Sequence, residues 1–259
     1  MLNDITPVIL TLNEAANIGR TLSRLAWARR VVVVDSGSTD ATRDICASYA
    51  NVVLFVRAFT THAEQWNWAL EHTEIDSPWV LALDADYLVT DDFAAELGDA
   101  SLDSPEVAGY RASFRYCIFG KPLRASLYPD VTVLFRRDKA RYVQDGHTQR
   151  LALAGSVSRL NSRLLHDDRK PLSSWLLAQD RYATLECAHL YATPWKQLSV
   201  QDKLRRMIVI TPFLGPVYCL FVRGLIFSGL PGWLYACQRC IAECILSIKL
   251  VEQKFTRLH

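Results

Sequence analysis

Four short apolar runs, residues 7–12, 31–34, 52–56 and 79–83, punctuate roughly the first hundred residues, with segments of helical periodicity between them. This alternation restricts the fold more than any other feature. Residues 31–34 form a continuous β-branched run bounded by Arg30 and Asp35, which suits a parallel strand buried on both faces. Ile18, Leu22 and Leu25 recur at helical spacing, a further helix is expected after Asp40, and another over 63–71. Strands alternating with helices imply a doubly wound α/β sheet. Ligands of such sheets bind beyond the carboxyl ends of the strands. Thr11-Leu12-Asn13-Glu14, Asp35-Ser36-Gly37-Ser38 and Asp84-Ala85-Asp86 occupy those ends, so three polar clusters point to one crevice.

The last cluster demands a cation, because two carboxylates near one point repel. Mg²⁺ or Mn²⁺ takes oxygen ligands and completes its shell with substrate phosphates, so a diphosphate is the expected third party. An Asp-x-Asp pair alone is a common pattern, and its position after a buried strand is what makes it informative. Gly37 permits a tight turn, and Ser38 or Thr39 can cap the next helix. Asp35, first after its strand, is placed to accept hydrogen bonds from a base or ribose, although Thr39 and Asp40 can also be read as simple caps.

Beyond residue 108 the pattern is shorter and more β-like as far as 153, with 131–135 the clearest strand and no Pro/Gly/Ser linker before it. Residues 173–190 read as a helix. Residues 208–222 carry no charge but include Thr211, Pro212, Gly215 and Pro216, too short and broken for the roughly twenty apolar residues of a spanning helix. Further on, Ile241, Cys244, Ile245, Ile248, Val251 and Phe255 share one helical face opposite Arg239, Glu243, Gln253 and Lys254. With Trp195 and Trp233, this amphipathic pattern favours helices lying in a membrane interface over a buried hairpin of an ordinary soluble domain. Net charge is only +2, yet from Lys196 onward nine Lys/Arg face three Asp/Glu, which places any anionic surface at the C-terminal quarter. No nucleic-acid partner is expected. No secretory signal opens the sequence, so the catalytic part is expected to stay cytosolic. Seven scattered cysteines imply reduced thiols, with Cys237, Cys240 and Cys244 forming a buried or lipid-facing stripe rather than a metal site.

Thr11-Leu12-Asn13-Glu14, the run from Val33 to Thr42, Gln65-x-Asn67-x-Ala69-Leu70 and Asp84-Ala85-Asp86 together resemble the successive signatures of family 2 inverting glycosyltransferases. Tyr128-Pro129-Asp130, Leu134-Phe135-Arg136-Arg137, Asp145-Gly146-His147, Arg181-Tyr182 and the hydrophobic C-terminus are similar to the bacterial branch that includes lipooligosaccharide core glucosyltransferases. The resemblance implies a GT-A fold, with residues 1–170 as the catalytic domain (1–100 binding the nucleotide sugar, 101–170 the acceptor) and 171–259 as a helical, membrane-associated region. It implies Thr11, Asn13 and Glu14 near the nucleoside, Asp35 on the base, Asn67 beside the donor, and Asp84 and Asp86 on ribose and metal, with His166 as a later metal ligand. Related enzymes carry a Glu after the histidine of a Val-His-Glu motif as base; here the run is Asp145-Gly146-His147-Thr148-Gln149. Asp145 or His147 can take that role, or an acceptor that is already anionic needs no strong base. Arg136, Arg137, Arg169 and Arg181 are candidates to hold pyrophosphate or an anionic acceptor. The expected activity is metal-dependent, inverting transfer from a nucleoside-diphosphate sugar to a lipid-linked or polyprenyl-phosphate acceptor. It would serve cell-envelope glycan synthesis at the cytoplasmic face of the inner membrane. The rival readings are a soluble acceptor and an inactive membrane adaptor of the same fold.

Overall fold

The computed structural model describes residues 2–99, 106–145 and 148–256. The chain divides into two compact units, Met1–Tyr116 with Leu127–Arg169, and Cys117–Ser126 with Lys170–His259.

In the first unit, β1 (Ile5–Thr11), β2 (Val31–Asp35), β3 (Val52–Val56) and β4 (Trp79–Asp84) alternate with α1 (Ile18–Ser23), α2 (Thr42–Ala47) and α3 (His62–His72). The chain then forms β5 (Tyr87–Leu88), α4 (Asp91–Asp99), β6 (Val107–Ile118), β7 (Lys121–Pro122), β8 (Val131–Arg136), β9 (Ala140–Asp145), β10 (Thr148–Leu153) and β11 (Ser156–His166). The sheet order is β3-β2-β1-β4-β8-β6-β11-β5. The first four neighbours are wound in parallel, as the alternation of the sequence implies. β8 then enters antiparallel beside β4, β6 runs antiparallel to β8, and β11 runs parallel to β6, so the complete sheet is mixed.

Period-2 alternation sorts the strand residues between two apolar layers. Ile5, Ile9, Val31, Val33, Leu81 and Leu83 face α1, α2 and α4, whose Leu22, Cys46, Phe93 and Leu97 close that layer together with Leu25 just after α1. Val8, Val32, Val34, Val80 and Ala82 face α3 on the other side, where Trp66, Ala69 and Leu70 pack with Phe135 and Tyr142. Burial in the first layer raises the Cys46 thiol to about 11, the Asp35 charge adding to the effect.

The second unit holds the β7 hairpin and α5 (Leu172–Ala192), α6 (Val200–Arg206), α7 (Ile210–Val217) and α8 (Leu230–Thr256). Its core joins Ala183, Cys187 and Leu190 of α5 to Leu246 and Leu250 of α8. The sequence pattern sets Glu243 on a polar face, but it is 8 % exposed and pairs with Arg205 at 3.3 Å and Arg239 at 3.4 Å. The opposite stripe is the exposed one, including Ile241, Ile248, Val251 and Phe255. Cys237 and Cys244 are exposed with it, Cys240 is half-buried, and no disulfide joins any of the seven cysteines. Among the described residues no helix is long and apolar enough to cross a membrane.

Candidate active site

Strand register puts the polar clusters side by side. Thr11 pairs with Asp35 and Leu10 with Asp84, so the carboxyl ends of β2, β1 and β4 stand in a row. Asp35 is fully buried, and its carboxylate accepts from the amides of Gly37 (3.0 Å) and Ser38 (2.8 Å), from the Thr11 hydroxyl (3.0 Å) and from the Ser38 hydroxyl. A carboxylate offers about four lone-pair directions, so these four donors saturate it. Gly37 makes the tight turn possible with φ +96°. Asn13 occupies the left-handed region at φ 55°, where Asn is tolerated, and crosses to the same loop. Its amide donates to the Ser38 hydroxyl at 2.8 Å and its Oδ1 accepts from the Thr39 amide at 2.9 Å. Glu14 is anchored by its own amide on the Thr42 hydroxyl, 2.8 Å, while its carboxylate accepts from Asn17 at 2.8 Å. Asp40 accepts from the Ala15 and Thr42 amides and the Thr42 hydroxyl, donors that overcome its slight burial and hold its carboxyl below the ordinary range.

Asp84 is exposed at the end of β4, and Asp86 follows within the turn that leads to β5. β5 pairs antiparallel with the last residues of β11, Tyr87 opposite His166. That pairing brings His166 Nε2 to 3.1 Å from the Asp86 carboxylate and lets the Asp167 amide donate to the Asp86 carbonyl at 3.0 Å. Tyr128, Tyr116 and Tyr87 surround the imidazole with ring centroids at 4.6, 4.7 and 5.3 Å. Burial opposes a positive His166, but the carboxylates of Asp86, Asp84 and Asp168 outweigh it and raise its pKa. Burial also raises the Tyr87 and Tyr142 phenols, and Asp84 raises both further. The field of the site is thus negative on several sides, the setting a cation neutralises.

A divalent ion fits these residues. Among the described residues no three His, Cys, Asp or Glu side chains converge to hold a metal by themselves. Mg²⁺ and Mn²⁺ sites commonly use only one or two protein donors and leave the rest to phosphate and water. Donors 3.1 Å apart, as His166 Nε2 and Asp86 are, match neighbouring corners of an octahedron with ligands at about 2.1 Å, which lie about 3.0 Å apart. His166 Nδ1 is buried without a hydrogen-bond partner.

Other expected residues are placed differently. Both ends of the Asn67 amide are committed to the backbone of Tyr142, at 2.8 and 2.9 Å, holding β9 against α3. Arg136 pairs in register with Trp79 and lies over its ring at 4.7 Å, and the Arg137 amide donates to the Pro78 carbonyl. Both therefore stand at the start of β4, the end opposite Asp84, which corrects the expectation that they border the crevice. The Arg169 guanidinium is held by Asp167. Arg181 belongs to α5 in the second unit, with its guanidinium 5.7 Å from the Tyr182 ring. Asp145 ends β9, and Gly146 and His147 lie outside the described residues.

The sequence reading misses a network that frames the site. Asn17 donates to Glu14 and Asp168 at 2.8 Å each and accepts from the Arg169 amide and Arg20; Arg20 also grips the buried Asp167 at 2.7 Å. Asn17 to Asp168 and Arg169, and Arg20 to Asp167, are contacts between residues 147 to 152 positions apart along the chain, and no local pattern announces them.

Comparison with known proteins agrees with this geometry. The sequence model of the family described as Glycosyl transferase family 2 matches residues 6–147. The lipopolysaccharide core biosynthesis glycosyltransferase LpsC of Rhizobium meliloti (strain 1021) is 26 % identical over 265 residues, covering 96 % of this chain and 92 % of the relative. Among solved structures, the mannosyltransferase PcManGT of Pyrobaculum calidifontis, in complex with GDP-Man and Mn²⁺, has a TM-score of 0.54 at 15 % identity, covering 97 % of this chain and 88 % of that one. The matched segment exceeds half of the chain and contains β1 to β4, the Asp35 loop and Asp84-Ala85-Asp86, and the chain belongs to glycosyl transferase family 2 as a GT-A-like glycosyltransferase.

Proposed function

We propose that this enzyme moves a sugar from a nucleoside-diphosphate sugar to a lipid-linked acceptor, with Mg²⁺ or Mn²⁺ held between Asp86 and His166 and the carboxylate of Asp84 adding its charge beside them. The observation that carries the proposal is the meeting of His166 and Asp86 at 3.1 Å, beside Asp84 at the lip of the parallel strands. The relatives support the donor class, since PcManGT is seen with GDP-Man and Mn²⁺.

The nucleoside lies against Thr11, Asn13, Glu14 and Asp35 in this reading. Ser38 and Thr11 reach Asp35 through hydroxyls, which rotate, so a base N–H can replace one of them without moving the backbone. A bound divalent ion supplies a Lewis acid that offsets charge growing on the leaving diphosphate. Asp84 and Asp86 orient the ribose and the diphosphate, and the tyrosines around His166 exclude water from one side. An acceptor oxygen attacks the anomeric carbon from the face opposite the diphosphate, giving inversion. Its proton passes to Asp145 or His147, unless the acceptor oxygen is already anionic and needs no base. The work of the site is the stabilisation of a charge that develops only in the transition state.

The second unit supports a membrane setting; the cytoplasmic face of the inner membrane is the side we propose. Phe213, Phe221, Val222, Phe227 and Leu230 are each more than 60 % exposed, with Arg223 beside them in sequence. Exposed apolar area of this kind marks an interaction surface, and its mixture with cations suits an anionic lipid interface. An acceptor of the lipopolysaccharide-core kind, which the LpsC relative suggests, is anchored in such a surface. The test is transfer of labelled sugar from UDP- and GDP-sugars to extracted lipid in the presence of Mn²⁺. Label is expected in the lipid fraction; label only on water-soluble acceptors overturns the lipid-linked reading.

A further inference from the structure

The pairing of β6 with β11 sets Arg159 beside Arg111, Arg163 beside Ser113 and Leu165 beside Arg115. Side chains paired in register point to the same face, and alternate residues to the other. The face opposite Tyr116 and His166 therefore presents Arg111, Arg115, Arg159 and Arg163, all exposed, within three rows about 7 Å apart. A bulge in β11 makes this density possible: β6 advances from 111 to 113 while β11 advances from 159 to 163. Glu96 of α4 accepts from the bulge amides of Asn161 at 2.8 Å and Ser162 at 2.7 Å, so the bulge is held rather than frayed.

Like charges opposite each other in a sheet oppose folding unless something compensates them. Arg159 pairs with Asp130 at 3.0 Å, and among the described residues no carboxylate pairs with Arg111 or Arg163. Arg111, Asp130 and Arg159 line a depression of about 220 Å³ together with Val157 and Ser158. A lipid-docking face combines cations with large apolar side chains, but these three rows hold no exposed apolar side chain; Val157, which pairs with Gly109 just before them, is the nearby exposed one on β11. The recess and its polarity fit a discrete polyanion better than a bilayer. Arginine forks match phosphate oxygens in pairs. β6 runs in the direction of β4, so Arg115 stands toward the sheet end that carries Asp84.

We propose that this arginine face binds phosphate groups on the saccharide part of the acceptor, a ligand carrying two or more phosphates. The proposal rests on the glycosyl-transfer reading above and narrows its acceptor class. Its probes are an oligosaccharide bearing two phosphates and the same oligosaccharide after dephosphorylation, titrated calorimetrically into the full chain. The phosphorylated form is expected to bind the unaltered protein and to bind the double variant Arg111→Ser/Arg159→Ser about tenfold more weakly. The dephosphorylated form should bind both proteins alike. Arg163→Ser supplies a second reading if the double variant loses its thermal transition. No binding of the phosphorylated probe to the unaltered protein, or equal binding to the variants, overturns the proposal. So does a loss confined to vesicles of phosphatidylcholine and phosphatidylglycerol, which would make this a membrane face. Binding needs no turnover, so a failed transfer assay leaves the result readable, and intact transfer with unchanged binding removes this proposal alone.

Discussion

Asp86 and His166 show how a site is made by pairing two short strand ends that the sequence separates by 80 positions. Asp86→Ala or His166→Ala removes one of the two nearest donors, and each is expected to lower Mn²⁺-dependent transfer about a hundredfold, the scale of one electrostatic stabiliser in a transition state. Steady-state rates across a Mn²⁺ series check this; unchanged rates at saturating metal and donor would contradict it. Glu96 tests the scaffold rather than the chemistry. Partial burial opposes its charge, but donors from Asn161 and Ser162 prevail and hold its carboxyl below the ordinary value of 4.5. A lowered folded-state pKa contributes stability that is present above the unfolded value and lost as pH falls through the folded one. Glu96→Gln is expected to cost about 1 kcal/mol near neutral pH, since the carboxylate is only partly buried. Urea unfolding should show the gap between the two proteins narrowing below the ordinary Glu value of 4.5. A gap indifferent to pH would contradict this role.

The elements differ in how openly the sequence declares them. β2, as Val-Val-Val-Val-Asp, is apolar on both faces because helices cover both, and such a run is visible without any partner. The ends of β1, β2 and β4 are legible for the same reason, since each apolar run stops at a polar residue. β11 reads Ser-Val-Ser-Arg-Leu-Asn-Ser-Arg-Leu-Leu-His: one face is open to solvent and a bulge breaks the alternation, so periodicity conceals it. The mixed half of the sheet, and the collar it builds around His166, exist only through long-range pairing. Asn67 illustrates the same limit. Its place in a Gln-x-Asn pattern suggests a donor contact, whereas its amide bridges both backbone groups of Tyr142. Asn67→Ala leaves a buried amide and carbonyl unmatched, an expected loss of about 2 kcal/mol in urea unfolding. An unchanged midpoint would show that β9 is held by apolar packing alone.

At the scale of the whole chain, the acidic strand ends and the large exposed apolar surface belong to different units. The first carries the row of strand ends and the acidic pair; the second carries a buried ionic cluster around Glu243 and a large exposed apolar surface. Replacing Phe213, Phe221 and Phe227 together by Ser is expected to weaken sedimentation with anionic vesicles at least about tenfold, given about 1.5–3 kcal/mol for burying one such side chain. Donor binding should be unaffected, and unchanged sedimentation would count against the lipid interface. The central claim, a divalent ion joining Asp86 and His166, with Asp84 beside them, to the diphosphate of an activated sugar, is tested most directly by titrating UDP- and GDP-sugars into the protein with Mn²⁺, with EDTA, and into Asp86→Ala with Mn²⁺. The account expects tight binding of one donor in the first case and its loss in the other two. Equal affinity in EDTA and in Mn²⁺ would contradict it.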